Sequence, residues 1–328
     1  MQFRTTFQIP KSNYKISHQT KILTIGSCFS DEIGEKFYNL KYNSLINPFG
    51  VVFNSYSIAN IISRSLQKKY YTETDVHQNG EQFFCFDVHS SFNRNSALEL
   101  LTHLNQKIDE VHERLFTCDV LIITLGTSWV YKRKENDEIV SNCHKVPSKQ
   151  FDKILLSTED NLIYLTNLID ELKKVNPNLQ VITTVSPVRH TKDGFRENNV
   201  SKSRLIDALY QLENNQDNVT YFPSYELMID DLRDYRFYKN DMIHPSQQAV
   251  DYIWNHFSDI YFDEVTLSIN NKIYKIQSAI HHRPFNEETD SYQSFLRKTI
   301  DMMEELQIKN NISFQEEIYN LRLKIKPC

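Results

Sequence analysis

Residues 22–34 read ILTIGSCFSDEIG, and the fold turns on how this stretch is parsed. The apolar run 22–25 suits a short buried strand, and residues 31–40 carry the apolar period of a helix. Between them stand Gly26, Ser27 and Cys28. The chain has only 6 glycines in 328 residues, so Gly26 and Gly34 in one stretch suggest a constrained backbone. A glycine ending a strand permits a tight turn into a helix. The side chain that follows then meets free N–H groups and a partial positive charge at the helix N-terminus. Ser27 or Cys28 thereby becomes a candidate reactive group. The plain alternative is an ordinary helix start, with Ser30 as the cap, Ser27 bonded locally and Cys28 packed as a small hydrophobe.

The same parsing extends outward. Short apolar runs at 22–25, 44–46, 120–125, 181–185 and 219–222 read as strands. Stretches at 31–40, 57–66, 97–116, 161–175, 202–212 and 246–257 have helical period. Alternating strand and helix implies right-handed crossovers and a mostly parallel sheet covered on both faces. The expected fold class is therefore α/β, a three-layer α/β/α flavodoxin-like sandwich with about five strands. Reactive groups should gather at the C-terminal strand ends. Two insertions interrupt it: residues 68–95, a hairpin expected around Asn79-Gly80, and residues 131–150. From about residue 263 the pattern changes. VTLSINNKIYKIQSAIHHRPFN reads as strand and SYQSFLRKTIDMMEELQIKN as helix, which suggests a core domain over 1–262 and a C-terminal, largely helical appendage over 263–328.

Composition excludes several function classes. A 40 % hydrophobic and 24 % charged chain has material for a real core. A net charge of −5, with no basic cluster among aromatics, offers no footprint for nucleic acid or an anionic membrane. No run approaches the ~20 apolar residues of a membrane span, and the first residues lack a secretory pattern, so a soluble cytoplasmic protein is expected. Cysteines 28, 85, 118, 143 and 328 are odd in number and widely spaced, which argues against a disulfide framework or a cysteine zinc site.

A second stretch, NDMIHPSQQAVDYIWNHF, places Asp241 three residues before His244, just ahead of a helix that Pro245 and Ser246 would open. In a turn, that spacing lets the carboxylate accept from Nδ1–H, leaving Nε2 as a base. An unrelated surface Asp and His is the bland reading. Arg189 and His190 follow the run VITTVSP and so belong to the same sheet edge. Arg189 could grip a carboxylate or sulfate, or pair with an Asp of LRDYRFYKND. His89 and His144 could line a pocket or serve structure. With Asp241 they lack metal-ligand spacing, and no metal is expected. Phe83, Phe84, Phe86 and Phe92 read as the first insertion's own core.

The motifs GSCFS, NPFGVVFN, LGTSWVY, NCHKVP, TVSPVRH, SKSRL and YFPSYELMIDDLRDYRFYKNDMIHPS together resemble the GSCFA-domain family of the SGNH (GDSL-like) hydrolase superfamily. They run in order through most of the chain, with Ser30 in place of the final Ala of the name-giving motif. The resemblance implies a serine ester hydrolase that needs no cofactor. Ser27 would be the nucleophile and its N–H an oxyanion donor. His244 would be the base, oriented by Asp241, and Gly50 would supply a second N–H. The superfamily's Gly-x-Asn is replaced by Gly126-Thr127-Ser128, so Ser128, Asn54 or Asn142 would have to supply the missing donor. Cys28 is the rival nucleophile. The expected substrate is a small acyl group, such as acetyl, on a carbohydrate or other polar carrier. An O-acyltransferase using the same site, or a non-catalytic scaffold, are the alternatives.

Overall fold

The computed structural model describes residues 5–6, 8–282, 284–287 and 289–325. In chain order the strands are β1 (Lys21–Gly26), β2 (Asn43–Ile46), β3 (His77–Asn79), β4 (Gln82–Phe84), β5 (Val120–Leu125), β6 (Trp129–Arg133), β7 (Ile139–Val140), β8 (Phe151–Leu155), β9 (Gln180–Val185) and β10 (Val219–Tyr221). The helices are α1 (Cys28–Asn39), α2 (Ser55–Leu66), α3 (Ala97–Thr117), α4 (Thr158–Val175), α5 (Phe195–Asn215), the short α6 (Ser224–Glu226), α7 (Gln247–Tyr261), α8 (Glu264–His281), α9 (Asp290–Asn310) and α10 (Gln315–Arg322). Two compact units result, one built mainly from Lys21–Glu35 and Ser44–Asn255, the other from Ile9–Thr20, Lys36–Asn43 and the chain from His256.

The first unit is the expected α/β sandwich. Its sheet has the order β10-β9-β5-β1-β2, with parallel ladders joining β1 to β5, β5 to β9 and β9 to β10. One face of the strands (Leu23, Ile25, Leu121, Ile123, Val181, Val185) shares a core with the apolar stripes of α2, α3, α4 and α5. The alternate residues Ile22, Thr24, Ile122, Thr124, Ile182 and Thr184 are buried too, so both faces are covered. The three central strands end at Gly26, Leu125 and Val185, and this edge carries the candidate site.

Both insertions are β-structure. Strands β3 and β4 form the hairpin expected at Asn79-Gly80, with Gly80 at φ +63°, as such a turn requires. Strands β7, β6 and β8 form an antiparallel sheet. Phe84, Phe86, Val140 and Phe151 make a small core of their own, while Phe92 packs in the main core.

In the second unit the strand expected from VTLSINNKIYKIQSAI is a helix, α8. Its β-branched residues suggested a strand, but Asp263 caps the helix by accepting from Thr266 N at 2.8 Å. Thr266, Asn270, Ile273 and Ile276 lie buried at helical spacing. Tertiary burial overrides a weak local propensity here. Phe37, Tyr42, Phe257 and Phe262 form an aromatic cluster, on which His18 stacks through Tyr42 at 4.3 Å. Arg283, in the stretch read as strand, and Cys328 lie outside the described residues. The other four cysteines are free thiols.

Candidate active site at the sheet edge

Backbone hydrogen bonds knit the loops of this edge into a continuous series. Val52 N donates to Gly26 O at 3.1 Å, Gly126 N to Phe53 O at 2.7 Å and Ser186 N to Leu125 O at 2.8 Å. Arg189 N then donates to Ile243 O at 3.1 Å. The turn after β1, the α2 start, the turn after β9 and the Asp241–His244 segment are thereby held at one rim.

Gly26 is required by close approach. A Cβ there would stand 2.3 Å from the Thr124 carbonyl oxygen of β5. Helix α1 starts three residues earlier than the apolar period suggested, and its cap is Ser27 rather than Ser30. The Ser27 hydroxyl accepts from Phe29 N at 3.2 Å, and its own N–H donates to Thr124 O at 3.0 Å. Ser27 is only 3 % exposed, whereas Cys28, first in the helix, is exposed. Partial burial, and then the Asp31 carboxylate, raise the Cys28 thiol above its ordinary value. The Ser30 hydroxyl is buried and has no hydrogen-bond partner among the described residues.

Asn47 braces this turn. Its Oδ1 accepts from Gly26 N at 2.8 Å and its Nδ2 donates to Asp31 at 2.5 Å. The motif NPFGVVFN points to Gly50 and Asn54 in the sequence and not to Asn47, its first residue. Only the fold, which brings Asn47 back against β1, reveals this bracing role.

Across the rim, Asp241 and His244 form the local pair that their spacing suggested. His244 Nδ1–H donates to Asp241 Oδ2 at 2.7 Å, while the other carboxylate oxygen accepts from Ile243 N at 2.8 Å and His244 N at 3.0 Å. These bonds hold the Asp241 carboxyl far below the usual carboxylate range. The imidazole is half-exposed and its Nε2 is not engaged by any described residue. The loop closes on itself, with Lys239 N donating to His244 O and Ser246 N to Phe237 O, both at 2.7 Å. It also reaches α1 directly, through an ion pair of Lys239 with Glu32 at 2.7 Å. Glu32 lies one helical turn beyond Cys28, and the Lys239 ammonium is raised by Glu32 first, with Asp241 and Cys28 adding to it. Neither Lys239 nor Glu32 was picked out in the sequence, because nothing local marks a pair 207 positions apart.

The remaining candidates divide. Asn54 caps α2, accepting from Ser57 N at 2.8 Å, and its amide nitrogen bonds to no described residue. His190 packs on Phe53 at 5.5 Å, and burial, with Lys202 and His244 nearby, lowers its pKa to about 3, so it is neutral. The Gly50 and Gly126 N–H groups are already bonded, to Asn47 O and Phe53 O. Gly50 adopts φ +71°, with His89 against it. Ser128 is fully buried, donating to Ser201 O and accepting from Asn161, which makes it a structural knot rather than an oxyanion donor. Asn142 sits in the insertion, accepting from His144 N. His144 bonds Val88 O and stacks on Phe84, with its pKa lowered to about 4 by burial. The motif SKSRL is scaffolding. Ser201 ties Thr127 and Ser128, Arg204 ties Leu155 and Leu156, and the buried Lys202 holds Ser186 O at 2.6 Å.

No group of three or more His, Cys, Asp or Glu among the described residues is placed to hold a metal ion. No described helix is long and apolar enough to cross a membrane.

No curated protein matches the chain. Among solved structures it is similar to a carbohydrate esterase family 3 protein from Talaromyces cellulolyticus, at 10 % identity and a TM-score of 0.36, over 77 % of this chain and 99 % of that one. It is also similar to an acetyl xylan esterase from the rumen bacterium Butyrivibrio proteoclasticus, at 12 % identity and a TM-score of 0.35, over 76 % of this chain and 66 % of that one. Residues 21–257 match the GSCFA family and residues 273–327 the C-terminal domain of the GSCFA domain protein, so the chain belongs to the GSCFA family.

Proposed function

We propose that this protein hydrolyses a carboxylic ester through an acyl-enzyme, removing a small acyl group such as acetyl from a carbohydrate or other polar carrier. The observation that carries the reading is the Asp241–His244 pair. An imidazole is fixed at Nδ1 by an ionised carboxylate, with Nε2 left for proton transfer, and its loop is tied to α1 through the Lys239–Glu32 pair, one helical turn beyond Cys28.

The nucleophile comes from the turn after Gly26. Ser27 is the residue the resemblance implies, but its burial, its capping bond and its N–H in the sheet ladder favour Cys28 in that role. A nucleophile's own N–H often helps bind the oxyanion. The N–H of Cys28, first in a helix, has no intrahelical acceptor. With its thiol raised rather than ionised, Cys28 needs a base at the moment of attack.

In this scheme Cys28 Sγ attacks the acyl carbon as its proton passes to His244 Nε2. The Cys28 N–H and the Asn54 amide receive the oxyanion. The C–O bond breaks, and the alkoxide leaves with the proton from His244. Water, deprotonated by His244, then releases the acid and restores the thiol.

Hydrolysis of p-nitrophenyl acetate with labelling decides it. Iodoacetamide capture at Cys28 with loss of turnover supports the scheme. A fluorophosphonate adduct on Ser27 returns the role to the serine. No hydrolysis across a broad ester panel would leave the fold as a scaffold. Acetyl transfer to sugars in preference to water would make the protein an O-acyltransferase.

A further inference from the structure

Beside the Asp241–His244 loop lies a cavity of about 250 Å³, lined by Arg189, Phe195, Tyr225, Arg233, Tyr235 and Tyr238 among others. The Arg189 guanidinium carbon stands 5.1, 5.8 and 5.3 Å from the ring centroids of Phe195, Tyr235 and Tyr238. One hydrogen bond from Nη1 to Met242 O, at 3.1 Å, occupies the side chain, so most of its five donors remain. The sequence left open a partner in LRDYRFYKND. The acid of that segment lining the cavity is Asp234, and it is committed elsewhere. Its carboxylate accepts from Arg236 N at 2.9 Å and pairs with Arg236 Nε at 3.7 Å. Among the described residues no carboxylate lies within ion-pair distance of Arg189 or of Arg233.

The cavity wall is itself unusual. Leu227–Leu232 form a π-helix, a rare geometry found often at functional sites, and Arg233 ends it at φ +42°. Met228 and Ile229 of that segment line the cavity too.

An arginine fork between aromatic rings, lacking an internal anion and bonded to the residues between Asp241 and His244, is built for an external one. We infer that this cavity is a carboxylate subsite and that the substrate is an acyl ester of a carboxylate-bearing carrier such as a hexuronate. The guanidinium matches a planar carboxylate with two parallel N–H donors, and the Tyr and Phe faces receive the C–H side of one sugar ring. The volume falls below the ~300–1,000 Å³ of drug-sized sites, which suits a single ring. The inference rests on the hydrolase reading for its chemistry, but not for the anion site itself.

Two measurements separate them. Calorimetry with D-glucuronate, which requires no turnover, should show saturable binding that is lost in Arg189→Gln and weakened in Tyr235→Ala, a change at an exposed wall residue. Kinetics should then compare an acetylated hexuronate with its carboxylate free and as the methyl ester. Wild type should favour the free acid by roughly 10- to 100-fold in kcat/KM, and Arg189→Gln should collapse that ratio, with Arg189→Lys intermediate. Equal loss on both substrates, the ratio intact, would make Arg189 a mere anchor of the Met242 loop and overturn the subsite. Absence of glucuronate binding to wild type would overturn it as well. Binding without hydrolysis of any ester would instead remove the hydrolase reading and leave the subsite standing.

Discussion

The two regions that meet at the rim are built by opposite means. The turn from Gly26 to Asp31 is an extension of the sheet: its backbone continues the β1–β5 ladder, a glycine is dictated by contact with Thr124, and Asn47 braces it from a distant loop. The segment from Asp234 to Ser246 is a surface loop ordered by its own short-range bonds, chiefly three onto the Asp241 carboxylate. One region owes its geometry to the core, the other mainly to bonds within its own loop, with the Asp241 carboxylate at their centre. Damage to the first should therefore unfold, whereas damage to the second should disarm.

The largest effect expected from this contrast is on turnover. Asp241→Asn leaves a fold of near wild-type stability but lowers kcat by roughly 10³- to 10⁴-fold, because the amide no longer fixes the imidazole tautomer. Steady-state kinetics beside a urea melt would check both halves. Equal loss of stability would place the loop under the control of the core after all.

Next comes Gly26→Ala, where a methyl group would collide with backbone rather than with a pliant side chain. A loss of ~3 kcal/mol or more in unfolding free energy is expected. A melt within about 0.5 kcal/mol of wild type would show the turn to be far softer than the contact implies.

Lys202 tests the frame behind the loop. Burial lowers its pKa from 10.5 to about 7, and its ammonium holds the Ser186 carbonyl. Between these pH values the unfolded chain binds a proton that the folded chain has released. Stability contributed at this site therefore rises with pH from about 7 towards 10.5, and the penalty is complete below 7. Urea midpoints at pH 7 and pH 9 should climb in wild type relative to Lys202→Met. Parallel behaviour of the two proteins would rule out the buried-charge account.

The smallest effect is the most telling. Ser27→Ala removes a helix cap, so about 1 kcal/mol of stability should go, with turnover kept within a few-fold. A loss near that of Asp241→Asn would restore Ser27 as the nucleophile.

What the sequence revealed follows the range of the interactions involved. Strand–helix alternation is a local pattern, and the five core strands stand within a residue or so of where periodicity put them. Asp241 and His244 were legible because a three-residue spacing is itself the geometry. Asn47, Lys239 and Glu32 were not, since each acts through a partner brought by the fold. The choice between Ser27 and Cys28 hinged on where α1 starts. A shift of three residues moves the cap from Ser30 to Ser27 and turns Cys28 outward. Helix α8 resembles a strand in sequence because Val265, Thr266, Ile269 and Ile273 favour strands locally, while the cap at Asp263 and burial at helical spacing decide for the helix.

Asn47 donates to one neighbour and accepts from another, so a carboxylate in its place would confront Asp31 and lose the brace. Asparagines turn into aspartates as proteins age when the next residue's amide nitrogen attacks the side chain, as the exposed Asn79-Gly80 pair invites. Residue 48 is proline and has no N–H to lend, which closes that route at the position where decay would cost this rim its shape.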